Sequence, residues 1–406
     1  VPIAVYMLGL AVFAQGTSEF MLSGLVPGIA ADLQVSVPAA GALTSAFAVG
    51  MIVGAPLMTV LSLRWPRRRV LLVFLIAFAL AHVVGALTTS FGVLLVTRVV
   101  GALANAGFLA VGLATAADLV APEAKGRATS VLLGGVTVAC VVGVPAGAVL
   151  GQLWGWRSAF WGVALVCIPV VFAIVRSVPG GAPRPGQAVA VPGDASRPGV
   201  RRELGALRDP RLLVTLLLGA LVNAATFCTF TYLAPLVTDV AGFGTGWVPV
   251  MLALFGTGAF VGVTVGGRMA DTRPKRILLS GGAALLVGWV IFAAAAGSTT
   301  ATFLFVFVQG ALSFAVGSTL IARVLYAAAK APFLGGAFAT SAFNVGAAVG
   351  PFAGGAAIAA GLGYRSPLWV SALLVALACV TAGVAGSVRR IRRSGSGEKA
   401  VVNRHG

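Results

Sequence analysis

Glu19 stands where an ionisable side chain is costly. It lies inside an apolar run from Ile3 to about Pro27, in the stretch Gln15-Gly16-Thr17-Ser18-Glu19-Phe20-Met21-Leu22-Ser23-Gly24-Leu25-Val26-Pro27. The run is long enough to cross a bilayer as a helix. A charged group at that depth costs roughly 2.5–3.5 kcal/mol on insertion scales, so it points to function by default. The chemistry open to a lone carboxyl there is to take up and release a proton. The competing reading is a protonated structural Glu that bonds a neighbouring helix. On a helical wheel Gln15, Ser18, Glu19, Leu22 and Ser23 share one face, while Phe13, Thr17 and Phe20 lie elsewhere.

A second charge, Arg98, lies in another apolar run, about ten ångström in from the end at 1.5 Å per residue. Glu19 lies about twelve ångström from the corresponding end. The matching depths allow Glu19 and Arg98 to interact across adjacent helices; snorkelling of Arg98 to the interface is the alternative. Uncharged polar groups inside apolar runs are Asn105, Asn223, Gln309 and Asn344. Asn223, Phe227 and Phe230 share one face, which suits an amphipathic aromatic solute. With Gln15, Ser23, Asn105 and Asn344 they form the candidate solute contacts, and hydrogen bonding between helices competes for each polar one. Asp118 sits near a run's end and reads as interfacial.

Enzyme chemistry is not expected. The four cysteines, Cys140, Cys167, Cys228 and Cys379, are scattered through apolar runs without metal or disulfide spacing. His82 lies in a run and His405 in the tail, so they form no ligand cluster. No Ser/His/Asp, Cys/His or metal constellation appears.

The elements that position these residues follow from composition. The 406-residue chain is 59% hydrophobic and 9% charged, whereas soluble domains carry about 25% charged residues. Twelve spans are expected at about 3–27, 38–62, 70–88, 92–119, 129–150, 159–176, 212–237, 248–269, 277–297, 302–326, 334–359 and 368–387. Each must be helical, because hydrocarbon offers no partner for an unpaired backbone group. The net charge is +18, yet all of the Lys and Arg except Arg98, Arg157 and Arg365 fall at the far ends of even-numbered spans, in the loops after them or in the tail. That pattern is the positive-inside signal, with both termini cytoplasmic, and not a nucleic-acid footprint. The first run is too long for a signal-peptide core and has no basic segment before it, so no signal peptide is expected.

The chain divides into an N-terminal half, 1–176, a Pro- and Gly-rich flexible linker, 177–211, a C-terminal half, 212–388, and a basic tail, 389–406. Val200 to Arg211 is expected as a short surface helix, and the tail after Arg393 as disordered. The halves repeat each other. Pro27 and Pro235 close their spans in related settings, and Gly-Trp-Arg at 155–157 matches Gly-Tyr-Arg at 363–365, both 208 residues apart. Trp161 matches Trp369 at the same offset, and Gly-Ala-Leu recurs at 101–103 and 310–312.

The loop Leu61-Ser62-Leu63-Arg64-Trp65-Pro66-Arg67-Arg68-Arg69 follows the second span, and Gly267-Arg268-Met269-Ala270-Asp271-Thr272-Arg273-Pro274-Lys275-Arg276 follows the eighth. The latter resembles the major facilitator signature G-x-L-A-D-R-x-G-R-K, in which Gly permits a tight helix end and Asp pairs with basic groups across a gate. Leu63 stands where the family has Asp. Arg64, Arg67, Arg68, Gly267, Arg268, Asp271 and Lys275 are therefore candidate gate residues, with simple lipid anchoring as the alternative. Gly143-Val144-Pro145-Ala146-Gly147, running on to Gly155-Trp156-Arg157, resembles the antiporter motif of drug exporters. Gly350 and Pro351 answer in the eleventh span, and close helix packing explains the same glycines equally well. Arg98 resembles the R-x-x-x-G motif in part, with Gly101 one position early.

The whole chain outside the linker resembles the twelve-helix drug:proton antiporter branch of the major facilitator superfamily. Gln15 to Leu25, Gly101 to Phe108 and Lys125 to Gly135 are most like the chloramphenicol-resistance exporters; sugar and nucleoside exporters share the core Thr17-Ser18-Glu19-Phe20. The resemblance implies an all-α membrane protein of major facilitator fold, with twelve transmembrane helices in two six-helix halves. It implies a bacterial cell membrane, a small-molecule drug and protons as partners, a monomer, and no cofactor beyond the proton gradient. Glu19 would carry the proton, with Arg98 and burial opposing each other over its charge. A sugar or nucleoside exporter is the alternative within transport, and a non-transporting membrane sensor the alternative outside it.

Overall fold

The structure is a computed structural model that describes residues 2–62, 65–178, 205–270, 276–328 and 335–402. In the N-terminal half the helices are α1 (Ile3–Phe20), α2 (Leu22–Asp32), α3 (Val37–Ser62), α4 (Arg67–Leu87), α5 (Phe91–Asp118), α6 (Lys125–Val138), α7 (Val144–Trp154) and α8 (Arg157–Ser177). In the C-terminal half they are α9 (Pro210–Thr231), α10 (Leu233–Pro235), α11 (Val248–Ala270), α12 (Gly282–Ala295), α13 (Thr299–Ala327), α14 (Gly335–Ala357) and α15 (Ser366–Val402). Among the described residues, twelve helical segments are long and apolar enough to cross a membrane. The protein is a multi-pass membrane protein.

Each half packs around its own apolar core, one running from Val5 to Val178 and the other mostly from Leu221 to Ala378. The same neighbours recur in both. Helix α1 packs on α6 as α9 packs on α14, α3 on α5 as α11 on α13, and α4 on α8 as α12 on α15. The halves meet through α3 against α14 and through α11 against α7. The contacts that join them lie toward the end of the bundle that carries the short, mostly uncharged loops, here termed the neutral end. Ser45 donates to the Ala348 carbonyl at 2.7 Å, and Gln152 donates to the Thr245 carbonyl at 2.6 Å. The buried Tyr232 ring fills the space that Gly41 and Gly355 leave empty, and its hydroxyl donates to the Pro351 carbonyl at 2.9 Å.

Glycine governs how closely the helices approach. A Cβ at Gly143 would run into the Thr17 side chain, and one at Gly350 into the Ala224 backbone. Gly147 is different, because a methyl there would rest 3.4 Å from Met21 in ordinary contact. The five-residue turn Ala139–Gly143 is π-helical and stands just before Pro145, the second residue of α7. Pro145 has no N–H to give to the preceding turn, so the ladder opens there.

Several expectations need correcting. Pro27 does not close its span: it lies inside α2, and the helical path runs on to Asp32 after a single break at Met21. Pro235 likewise leads straight into a π turn, Leu236–Val240, where the Thr238 hydroxyl donates to the Ala234 carbonyl. In both, a lost backbone hydrogen bond costs less than ending a helix whose faces are already packed. Gly267 is not a helix end, since α11 continues to Ala270 and a Cβ at Gly267 meets nothing within 4 Å. The backbone after Arg393 is helical through Val402, because it extends a helix already nucleated in the membrane-spanning part. Of the surface helix expected over 200–211, the described part is a 3-10 turn, Gly205–Arg208, followed by α9. Arg64, Asp271, Lys275 and most of the linker lie outside the described residues.

Candidate functional site

Arg98 is buried in α5 and does not form an ion pair with Glu19. Its guanidinium clasps Ser18 instead: Nη1 donates to the hydroxyl at 2.8 Å and Nη2 to the carbonyl at 2.9 Å. Its other face lies over the Phe47 ring of α3, 4.3 Å from the centroid. A guanidinium buried this way requires such charge-assisted acceptors and an aromatic face. Snorkelling is excluded by the same geometry.

Ser18 is shared with His82 of α4. His82 Nε2 lies 2.7 Å from the Ser18 hydroxyl oxygen, and Nδ1 lies 2.7 Å from the Phe78 carbonyl one turn back. The ring packs between Phe78 and Phe160. Glu19 is half-buried beside this cluster, and no hydrogen bond or ion pair joins it to a described residue.

Beside Phe20, the residue after Glu19, a cleft lies between the halves. It is lined by Phe20, Cys140, Thr226, Phe227, Phe230, Phe255, Gly256, Ala259 and Phe314. Phe20 packs on Phe227 at 5.7 Å and on Phe230 at 6.4 Å, and Phe230 packs on Phe255 at 4.6 Å. The free space is about 10 Å³, the room of one water-sized sphere. Drug-sized sites are about 300–1,000 Å³, so a solute must part these rings to enter.

The structure brings Phe227 and Phe230 to the cleft and turns the other candidates elsewhere. Asn223 donates to the Phe343 carbonyl at 2.6 Å, which ties α9 to α14. Asn344 donates to Thr340 in its own helix at 3.0 Å. Ser23 donates to the Phe20 carbonyl. Asn105 is buried on α5. Gln15 is buried with neither amide atom bonded to a described residue. Arg67 pairs with Asp118 within its own half and also donates toward the Ala114 carbonyl. Arg68 is half-buried and Arg268 exposed.

Sequence reasoning missed His82, Phe20, Phe255 and Phe314. His82 carried a usable signal, being an ionisable group in an apolar span like Glu19. Phe20 was set apart because the wheel placed it off the polar stripe. That was correct, and the other face turned out to be the one that meets the partner half.

The Major Facilitator Superfamily model matches residues 8–339. The chain is 56% identical over 381 residues to a "Chloramphenicol resistance protein" of Streptomyces lividans, covering 94% of this chain and 95% of the relative. It is 34% identical over 371 residues to the "Inner membrane transport protein YdhP" of Escherichia coli (strain K12), covering 91% and 92%. Among solved structures, it is similar to a bacterial homolog of the human lysosomal transporter Spinster in an inward-facing and unoccupied conformation. The TM-score is 0.70 at 17% identity, with 93% and 95% of the two chains covered, which bears on the fold alone.

Proposed function

This chain belongs to the major facilitator superfamily, and from that premise we propose that it exports small drugs, chloramphenicol foremost, in exchange for protons. The substrate rests on the Streptomyces relative. The coupling rests on one observation: Glu19 has no hydrogen-bond or ion-pair partner among the described residues, stands next in sequence to Phe20 of an aromatic cleft, and has a buried cation held one residue away on Ser18.

With the basic loops and both termini in the cytoplasm, the neutral end faces out. The contacts of Ser45, Tyr232 and Gln152 then seal the outer side. The drug enters between Phe20 and the rings of the C-terminal half from the cytoplasm. Rocking of the halves opens the outer side for release. A proton arriving at Glu19 from outside and leaving inside supplies the energy. Drug and proton then bias each other through one cleft, as reciprocal linkage demands. The transporter makes and breaks no covalent bond of its substrate and needs no cofactor. The cell membrane is its place, as a monomer.

Inside-out vesicles holding a preset pH gradient test this. Chloramphenicol should dissipate the gradient with the wild type and leave it intact with Glu19→Gln. Response to a sugar or nucleoside instead would move the substrate to the neighbouring exporters of the branch. Equal coupling by Glu19→Gln would remove Glu19 from the mechanism.

A further inference from the structure

The hydrogens along Phe78, His82, Ser18 and Arg98 can be placed without ambiguity when the imidazole is neutral. A backbone carbonyl only accepts, so His82 Nδ1 bears the hydrogen that goes to Phe78. Nε2 then has a lone pair and takes the Ser18 hydroxyl hydrogen. With its hydrogen spent, the Ser18 oxygen presents lone pairs to Arg98 Nη1. Protonating His82 would set two donors against one hydroxyl and a second cation beside Arg98.

We propose that His82 is a positioning residue for Arg98. By taking the Ser18 hydrogen it turns that oxygen toward the guanidinium, which keeps Arg98 on Ser18 and off the Glu19 carboxyl. Glu19 is thereby left without an ion-pair partner among the described residues, one residue before Phe20 of the cleft. The titratable groups around Glu19 are Arg98 from α5, His82 from α4 and Cys140 from the π turn; α3 and α8 contribute Phe47 and Phe160. Without the clamp the Ser18 hydroxyl is no longer turned toward the guanidinium, the Ser18 carbonyl and the Phe47 face are the fixed contacts left, and Arg98 is free to swing toward Glu19. Proton exchange should suffer while the drug cleft, lined by other residues, is unchanged. The functional consequence rests on the proton-coupled reading above; the clamp itself does not.

Two measurements decide it. The chain has only two histidines, His82 and His405, so nitrogen-15 NMR of histidine-labelled wild type resolves the state of His82 directly. The expected spectrum is a protonated Nδ1 and an unprotonated Nε2, with the Nε2 signal moving in Ser18→Ala. An Nε2–H tautomer or an imidazolium overturns the clamp. The second measurement compares His82→Gln, whose amide oxygen can stand in for Nε2, with His82→Asn, which reaches only the Phe78 carbonyl. Chloramphenicol binding should be unchanged in both. Chloramphenicol-driven proton movement should be largely kept by Gln and fall about tenfold in Asn and in Ser18→Ala, the scale of one hydrogen bond to a charged group. The Ser18→Ala/His82→Asn double variant should be no worse than Ser18→Ala alone. Wild-type coupling in both His82 variants, or joint loss of drug binding and coupling, overturns the positioning role. If wild type does not couple at all, the functional reading falls and the NMR result alone decides the clamp.

Discussion

Ser18 and Glu19 in the first span stand 208 residues before Thr226 and Phe227 in the seventh, and the two pairs are used in opposite ways. Ser18 is the meeting point of a cation and an imidazole. Thr226 only returns its hydroxyl to the Val222 carbonyl of its own helix at 2.9 Å. Where the first half carries Glu19 and Arg98, the same offset in the second half gives Phe227 and Val306. Trp289, one residue from the counterpart of His82, is buried with its indole nitrogen unbonded among the described residues. The second half joins its spans with neutral groups. Thr229 and Ser371 lie 2.8 Å apart, and Ser371 donates to the Ala225 carbonyl at 2.6 Å. A repeated packing frame thus carries a charged cluster beside the cleft in the first half and most of the cleft's aromatic lining in the second. On the proposed reading, proton and solute would then influence each other without competing for the same atoms.

The strongest way to break this division is to exchange the expected losses. Glu19→Gln should cut drug-driven proton flux by about a hundredfold or more, the scale on which a positioned acid–base group acts, while chloramphenicol binding is kept. Phe227→Leu should do the reverse and weaken binding by a few-fold, since an aromatic pair contributes about 0.5–1.5 kcal/mol beyond its buried area. Equilibrium binding and vesicle flux on both variants check this. Coupling lost in Phe227→Leu with binding intact would mean that the walls are not specialised.

A second experiment asks whether the packing is as symmetric as the helix order suggests. Gly143 lets α1 approach the π turn, and Gly350 lets α9 approach α14, but their neighbours differ. A methyl at Gly143 meets the Thr17 and Phe13 side chains, whose hydroxyl and ring can shift. At Gly350 it meets Ala224 backbone atoms, with the carbonyl carbon 2.9 Å away, which cannot. Gly350→Ala should therefore lower stability by about 1–3 kcal/mol, the usual cost of overpacking, and Gly143→Ala by clearly less. Thermal unfolding in detergent ranks them. Equal losses would show that side-chain and backbone neighbours yield alike.

Most of the frame was legible in the residues. Twelve apolar runs, basic loops after every second one and a 208-residue repeat lead to the two-half arrangement. The membrane makes this readable, because it forces each run to be a helix. The site was legible in part. Glu19 and Arg98 stood out through the cost of burying charge, but which acceptor Arg98 reaches depends on side-chain geometry between α1 and α5. Asn223 looked like a solute contact until the nearby Phe343 carbonyl claimed it. Cleft residues such as Phe255 and Phe314 carry no sequence signal, because a phenylalanine facing a solute and one facing a helix look alike in an apolar span.

The smallest expected effect concerns the repeat at the neutral end. Arg157 and Arg365 occupy matching places, yet of the two only Arg157 has an ion pair among the described residues, with Asp32 of α2. Arg157 also donates to the Thr88 carbonyl at 2.9 Å and lies over the Trp156 ring, whose indole nitrogen donates to Asp32 at 3.1 Å. The hydrogen bonds from Arg157 and then Trp156 hold the Asp32 carboxyl below its usual range. A carboxyl depressed in the folded state stabilises above its unfolded value, and loses that contribution as pH falls through the folded one. Wild type should therefore melt slightly above Asp32→Asn at pH 7. The gap should shrink below about pH 4, where an ordinary Asp titrates, and close further down. Asp32 is well exposed, so the gap is worth less than about 1 kcal/mol and should also narrow in high salt. Arg365→Ala, which removes no ion pair among the described residues, should show no acid-linked change. A gap that persists unchanged into acid would mean that Asp32 acts through packing, and the two arginines would then be equivalent after all.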